Sequence, residues 1–171
     1  MTNALEIKPI GVVVGGRAEP ADDHWTGNAI IRLDPSFPAE VVQGLDEFSH
    51  LLVVWHFHRA SPWDVALHAR SPRNNPAWPA TGTFVHRNHR RPNQLAESFP
   101  RLLKIDGLDL HVTDLDAIDG SPVYDLGPVL QGNGPARRDT RAGMARRDAQ
   151  GLLDINLFPD LASPCSDVQP R

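Results

Sequence analysis

Cysteine is nearly missing from this chain: Cys165 stands alone among 171 residues. A single thiol cannot close an intramolecular disulfide or build a thiolate metal cluster. The fold must therefore hold by packing and hydrogen bonding, as suits a reducing cytoplasm. Long apolar runs are missing too. No stretch reaches the roughly 18 apolar residues of a membrane span, and Met1 to Pro9 lacks the basic start and apolar stretch of a secretory leader. The expectation is a cytoplasmic, unprocessed protein that does not enter a membrane. A strong excess of one charge is also absent. The 17 Lys and Arg against 21 Asp and Glu leave a net charge of −4, which argues against a surface basic all over that grips nucleic acid by phosphate contacts alone. Any basic footprint must be local. No internal repeat is visible, and this length suits one well-buried domain, with an appended tail, better than two ordinary domains.

What the chain does have is punctuation: 16 prolines and 13 glycines separate short apolar runs, which favours short strands and tight loops over long helices. Ile10–Val14 is β-branched and nearly continuous, as a strand buried on both faces would be, and Gly15-Gly16-Arg17 ends it. In the loop that follows, Trp25 either lines a pocket or plugs the edge of the fold. Asn28–Leu33 reads as a strand stopped by Asp34-Pro35, and Pro38–Leu45 as a short helix closed by Gly44. The strongest strand is Phe48–His58. Alternation puts Leu51, Val53, Trp55 and Phe57 on one wholly apolar face, and His50, Leu52, Val54, His56 and His58 on the other. The first face fills a core, and the histidine face is left for a cleft, a partner subunit or water. His56 and His58 at i and i+2 invite a metal reading, but Arg59 follows directly and repels a cation, so histidines hydrogen-bonded at a strand end are preferred and no metal is expected.

Residues 61–79 have no period of either kind and form a long loop. Thr81–Val85 is expected to re-enter the sheet and to deliver, at its end, the basic cluster His86-Arg87-Asn88-His89-Arg90-Arg91. Three guanidiniums within five residues repel one another and call for carboxylates, phosphates or a carboxylate-bearing ligand, which the planar arginine fork suits; a solvated basic loop is the plain alternative. A second segment, Asp116 to Asp125, supplies carboxylates, a Gly turn and Ser-Pro, and looks complementary. Between them Phe99–Ile105 and Leu108–Val112 read as a hairpin around Asp106-Gly107. The sheet is expected to end near Leu130. Beyond it, 136–150 is rich in arginine and is either a solvated helix or a flexible tail, and the apolar patch at 152–158 must dock on the domain or on a second subunit.

Four motifs together carry a resemblance: Gly44-Leu45-Asp46-Glu47-Phe48-Ser49-His50; Phe57-His58; Phe84 through Arg87 with Arg91-Pro92-Asn93; and Asp119-Gly120-Ser121-Pro122-Val123 with Asp125 and Pro128. In order and spacing the chain resembles the TsaA-like family over roughly residues 8–130. That resemblance implies a mainly β, small single-sheet, β-barrel-like domain at 1–130 with short helices and long loops, followed by 131–171 docked on it or on a second subunit. It implies a homodimer that binds S-adenosylmethionine, and a methyltransferase that acts on threonylcarbamoyladenosine in tRNA or on a smaller acceptor. A non-catalytic module that binds S-adenosylmethionine or a nucleotide is the alternative. The family motifs carry the cofactor residues over to Phe84, His86, Arg87, Arg91, Asn93, Asp116, Asp119, Ser121, Pro122 and Val123, with His50 or His58 as the proton acceptor. Departures from the family pattern fall in Gly15-Gly16 with the Asp22-Asp23-His24-Trp25 loop, and in Asn88-His89-Arg90 and Gln94 to Glu97; they bear on substrate recognition. The further C-terminal domain of longer family members is expected to be absent.

Overall fold

The computed structural model describes residues 5–20 and 27–130. Trp25, the arginine-rich segment 136–150 and the apolar patch at 152–158 lie outside the described residues, as do the expectations placed on them.

Seven strands, β1 (Gly11–Gly15), β2 (Asn28–Leu33), β3 (Leu51–His56), β4 (Leu95–Ser98), β5 (Arg101–Asp106), β6 (Asp109–Thr113) and β7 (Pro122–Pro128), form one sheet in the order β4-β3-β7-β1-β2-β6-β5. Every pairing between them is antiparallel. Among the described residues the helical elements are short 3₁₀ turns. The mainly β, single-sheet expectation holds, and so does the hairpin: β5 and β6 meet around Gly107, whose φ of 59° suits glycine. No helix among the described residues is long and apolar enough to cross a membrane.

The sheet curls almost onto itself. By its ladders β4 and β5 are opposite edges, yet they are consecutive in the chain and separated only by Phe99-Pro100. Pro100 is fully buried, and the absent N–H costs nothing at a corner where one ladder ends and another begins. Its carbonyl accepts from Leu51 N at 3.0 Å, and Leu102 N donates to Ser49 O at 2.9 Å, flanking an antiparallel bridge between His50 and Arg101. These contacts tie the start of β3 to the start of β5 and make an open seven-stranded sheet barrel-like. Irregularities between Val54 and Trp55, and between Leu102 and Lys104, supply the local bending that such curvature needs.

The core lies inside the curl. Val13, Ile31, Leu51, Val53, Leu110, Val112 and Val123 are fully buried, with Trp55 at their centre. Its indole Nε1 donates to Ser98 Oγ at 2.9 Å, so the largest core side chain keeps its one polar group bonded. β3 shows the expected alternation, with Leu51, Val53 and Trp55 buried and Leu52, Val54 and His56 half-buried. Gly11 is needed for another reason: a Cβ there would sit 2.5 Å from Arg32 O on the neighbouring strand.

Four local expectations need correction. β1 is not buried on both faces, since only Val13 is fully inside while Val12 and Val14 are half-exposed on the outer face of a one-layer sheet. Pro38–Leu45 is not one helix but two 3₁₀ turns, Ala39–Val42 and Leu45–Glu47, parted by Gly44 at φ 79°. His58 does not continue the histidine face of β3, because its N–H bonds to His56 O at 2.8 Å and turns the chain out of the strand. Thr81–Val85 does not re-enter the sheet. Thr81 pairs only with Arg70, Thr83–Val85 is a 3₁₀ turn, and the place beside β3 belongs to β4.

Replacing Leu51 with alanine should cost about 2–5 kcal/mol, the usual range for emptying a core leucine site. The same change at half-exposed Leu52 should cost clearly less. The difference between the two urea midpoints measures which face of β3 is the core.

Candidate functional site

The C-terminal end of β3 meets the turn that leads into β7, and the turn that ends β1 meets both. Gly15 and Gly16 adopt φ of 74° and 75°, which lets the chain leave β1 abruptly and carry Arg17 back beside Ile118, with which it forms a bridge. From there the two turns are laced together. Gly15 N–H donates to Asp119 Oδ1 at 2.7 Å, Asp119 N–H to Arg17 O at 2.8 Å, Gly120 N–H to Val13 O at 2.8 Å, and Val13 N–H to Ser121 O at 2.9 Å. An ion pair closes the set, with Arg17 Nη2 2.7 Å from Asp116 Oδ1. Gly120, at φ 81°, is the pivot of this turn.

His58 stands over that pivot. Its Nδ1 lies 3.3 Å from the buried Ser121 Oγ, and a Cβ on Gly120 would come 3.6 Å from its Nε2. Burial by its neighbours lowers the His58 pKa below the ordinary 6.5; the positive charge of Arg59 and the nearby His56 lower it further, and Asp119 opposes them. The imidazole is therefore predominantly neutral at pH 7 and carries a lone pair.

The basic segment lies on the other side of β3. His56 pairs with Leu95 on β4 while Trp55 pairs with Val123 on β7. Adjacent strands are about 4.8 Å apart, so the loop entering β4 and the acidic turn entering β7 flank the same end of β3. Arg87 Nη2 donates to Glu97 O at 2.8 Å and its guanidinium lies 5.6 Å from the Phe99 ring centroid; Arg91 Nη1 reaches Leu95 O at 3.5 Å. These bonds use part of each fork and leave donors for a carboxylate. His86 is buried and bonded to Thr81 Oγ1 at 3.0 Å, so it ties the loop internally. Phe84 is 77% exposed, and Asn93 is exposed as well. Pro122 starts β7, and Val123 belongs to the core.

The structure thus brings His58, Asp116, Asp119, Ser121 and Pro122 together, with Arg87 and Arg91 on the adjoining loop. It does not bring in His50, which sits at the opposite end of β3 beside Ser49 Oγ (3.0 Å) and the Arg101 bridge. Arg17 is the residue that motif reading missed. The signal was present as Gly15-Gly16-Arg17, a double glycine aiming a cation immediately after a buried strand. Gln94 was missed as well: its buried amide donates to Ser61 O at 2.8 Å and His89 O at 3.1 Å, which holds the long loop against the start of β4. Among the described residues no three His, Cys, Asp or Glu side chains assemble as a metal set.

Fold and site together define a small antiparallel, barrel-like domain outside the helix-layered nucleotide-binding architectures, with a polar site built where three connecting segments converge. Residues 20–132 match the family model described as the tRNA-methyltransferase O N-terminal domain, and the chain belongs to that family. It is 33% identical over 93 residues to the mouse tRNA (adenine(37)-N6)-methyltransferase, covering 54% of this chain and 21% of that protein. It is 27% identical to a probable S-adenosyl-L-methionine-binding protein of Pyrococcus abyssi, covering 85% of this chain and 78% of that one. A protein of the same description from Methanothermobacter thermautotrophicus is 33% identical, over 74% of this chain and 91% of its own. The crystal structure of TrmO superposes with a TM-score of 0.64 at 25% identity, covering 85% of this chain and 64% of that chain. The chain thus spans only about a fifth of the mouse enzyme and most of the archaeal proteins.

In a titration followed by imidazole NMR, His58 and His50 should both show midpoints below 6.5; His50 is lowered by burial and then by Arg101. Arg101→Gln should raise the His50 midpoint and leave that of His58 in place. Because the unfolded chain binds these protons first as pH falls, stability should rise with pH across the window just below 6.5.

Proposed function

We propose that the chain is an S-adenosylmethionine-dependent methyltransferase whose acceptor is threonylcarbamoyladenosine in tRNA or a smaller nitrogen nucleophile of the same kind. The observation that carries this reading is the His58 imidazole, 3.3 Å from Ser121 Oγ on the laced Asp119 turn, in a chain of the tRNA-methyltransferase O family. The names of its relatives, tRNA methyltransferases on one side and S-adenosyl-L-methionine-binding proteins on the other, support the same substrate pair.

The residues present suit that cofactor. A carboxylate meets the remaining donors of Arg87 or Arg91, a sulfonium is favoured near the Asp116 and Asp119 carboxylates, and an adenine ring is accommodated by exposed Phe84. When bound, the cofactor supplies an activated methyl group on a cationic sulfur. What remains for the protein is to align the acceptor and take one proton. In this reading Nδ1–H of His58 donates to Ser121 Oγ, which leaves the Nε2 lone pair to accept the proton from the acceptor nitrogen. Gly120 keeps that nitrogen uncovered because it has no Cβ. His50 has no part in the step. The protein is further proposed to be a homodimer, and an enzyme acting on tRNA belongs in the cytoplasm.

Isothermal titration with S-adenosylmethionine and S-adenosylhomocysteine should show binding of both, weakened about tenfold or more by Arg87→Ala and by Asp119→Ala. Absence of binding at millimolar ligand overturns the reading. His58→Ala should keep cofactor affinity and lower methyl transfer to threonylcarbamoyladenosine-bearing tRNA by about a hundredfold, the lower range for loss of a general base. Tight cofactor binding with no transfer to any nitrogen acceptor would instead mark a non-catalytic binding module.

A further inference from the structure

Between β3 and β4 the chain makes a long excursion over residues 57–94 before returning to pair with the strand it left. The excursion is tied to itself rather than to a core. Arg70 and Thr81 exchange backbone hydrogen bonds at 3.0 and 2.9 Å, Ala66 N–H donates to Arg90 O at 3.1 Å, and Ser71 Oγ donates to Trp78 O at 2.8 Å. At its start Ser61-Pro62-Trp63-Asp64 forms a capped 3₁₀ turn, in which Ser61 Oγ accepts from Trp63 N–H and Asp64 Oδ2 accepts from Ser61 N–H. Gln94 clamps that turn from the far end of the excursion. The turn is therefore a fixed display element, and the side chain that it displays is Trp63, 94% exposed. An indole so placed contributes nothing to packing. Leu67, 72% exposed, lies four residues on.

The charge of this excursion runs against that of the chain. Within 57–94 there are six arginines and one aspartate, in a protein of net charge −4. Arg70, Arg87 and Arg91 bond to the uncharged oxygens of Asn88, Glu97 O and Leu95 O, so their positive charge stays uncompensated by those partners. The one acid, Asp64, is occupied in the cap. An exposed aromatic ring on a rigid turn within a locally cationic surface is the combination that binds unpaired nucleotides: bases stack on the ring and phosphates meet the guanidiniums.

We infer that Trp63 is a stacking platform for an unpaired base of an RNA loop, and that the excursion 57–94 is the surface through which the acceptor RNA docks. The inference rests on the tRNA reading of the same site and adds the residue that holds the neighbouring nucleotide. Trp63 is five residues from His58, at most about 18 Å away along the chain. A base stacked there belongs to a nucleotide close to the one presented to His58.

The test is fluorescence anisotropy of a labelled RNA hairpin carrying an adenosine in its unpaired loop, with the full-length protein at fixed salt. Trp63→Ala should weaken binding about tenfold and Trp63→Phe should restore most of it. The S-adenosylmethionine affinity and the melting midpoint should be the same in all three proteins. Equal RNA affinity of wild type and both variants overturns the platform while leaving the methyltransferase reading intact. No RNA binding by the wild type, together with cofactor binding and methylation of a small acceptor, overturns both the platform and the tRNA reading. Concentration-dependent self-association in sedimentation that Trp63→Ala abolishes would show that the ring faces a second copy, and would also overturn the inference.

Discussion

The pairing of two segments, Val13 to Arg17 with Asp116 to Ser121, is the constraint on which the site depends. Four hydrogen bonds and an ion pair join them. Most of these involve backbone atoms, so the geometry is set by φ and ψ rather than by flexible side chains. Glycine is required at Gly15, Gly16 and Gly120 because each sits in the left-handed region. With the turns fixed, β7 starts in register against both β1 and β3, and buried Ser121 meets His58 at 3.3 Å. A site assembled in this way needs no helix terminus and no glycine-rich phosphate loop. It uses the end of a curled sheet as a bench.

Curvature does the second part of the work. A flat sheet of seven strands would leave β4 and β5 as distant unpaired edges, open to association with other chains. Here the same run of residues passes from one edge to the other at Pro100, and the backbone bonds of residues 49–51 with 100–102 pull the edges together. His50 belongs to this closure. Its neighbours Arg101 and Asp114 pull its pKa in opposite directions, with burial the larger influence. His50 and His58 thus flank opposite ends of β3, one at the closure and the other over the Asp119 turn.

How much of this was legible in the sequence differed by element, for physical reasons. β3 was legible because Leu, Val and Trp alternate faces with a period of two, and the buried set followed directly. β4 was not, since Leu95-Ala96-Glu97-Ser98 has weak strand preference of its own and is a strand because β3 offers it hydrogen bonds. The basic cluster was legible as a cluster, but not its partners: Arg87 and Arg91 bond to carbonyl oxygens, and a carbonyl has no signature in the residue letters. Arg17 was hidden for a related reason. Its acid lies 99 residues away, and a cation after a double glycine looks like a strand terminator until the turn is seen folded back. His58 was found for its residue type, whereas the turn that separates it from His56 depends on one backbone bond.

The arrangement of charge gives the last step. The acidic turn spends its carboxylates internally, Asp116 on Arg17 and Asp119 on the Gly15 amide, while the arginines across β3 spend only part of their donors and none of their charge on each other. Two oppositely charged segments that simply neutralised one another would have closed the end of β3. The strand between them holds the two segments apart, and His58 stands at the same end of it. In the proposed function, a ligand carrying both a carboxylate and a cationic centre addresses both segments at once. The net charge of −4 is then no obstacle to the proposed RNA acceptor, since the excursion 57–94, with six arginines and one aspartate, is itself locally positive.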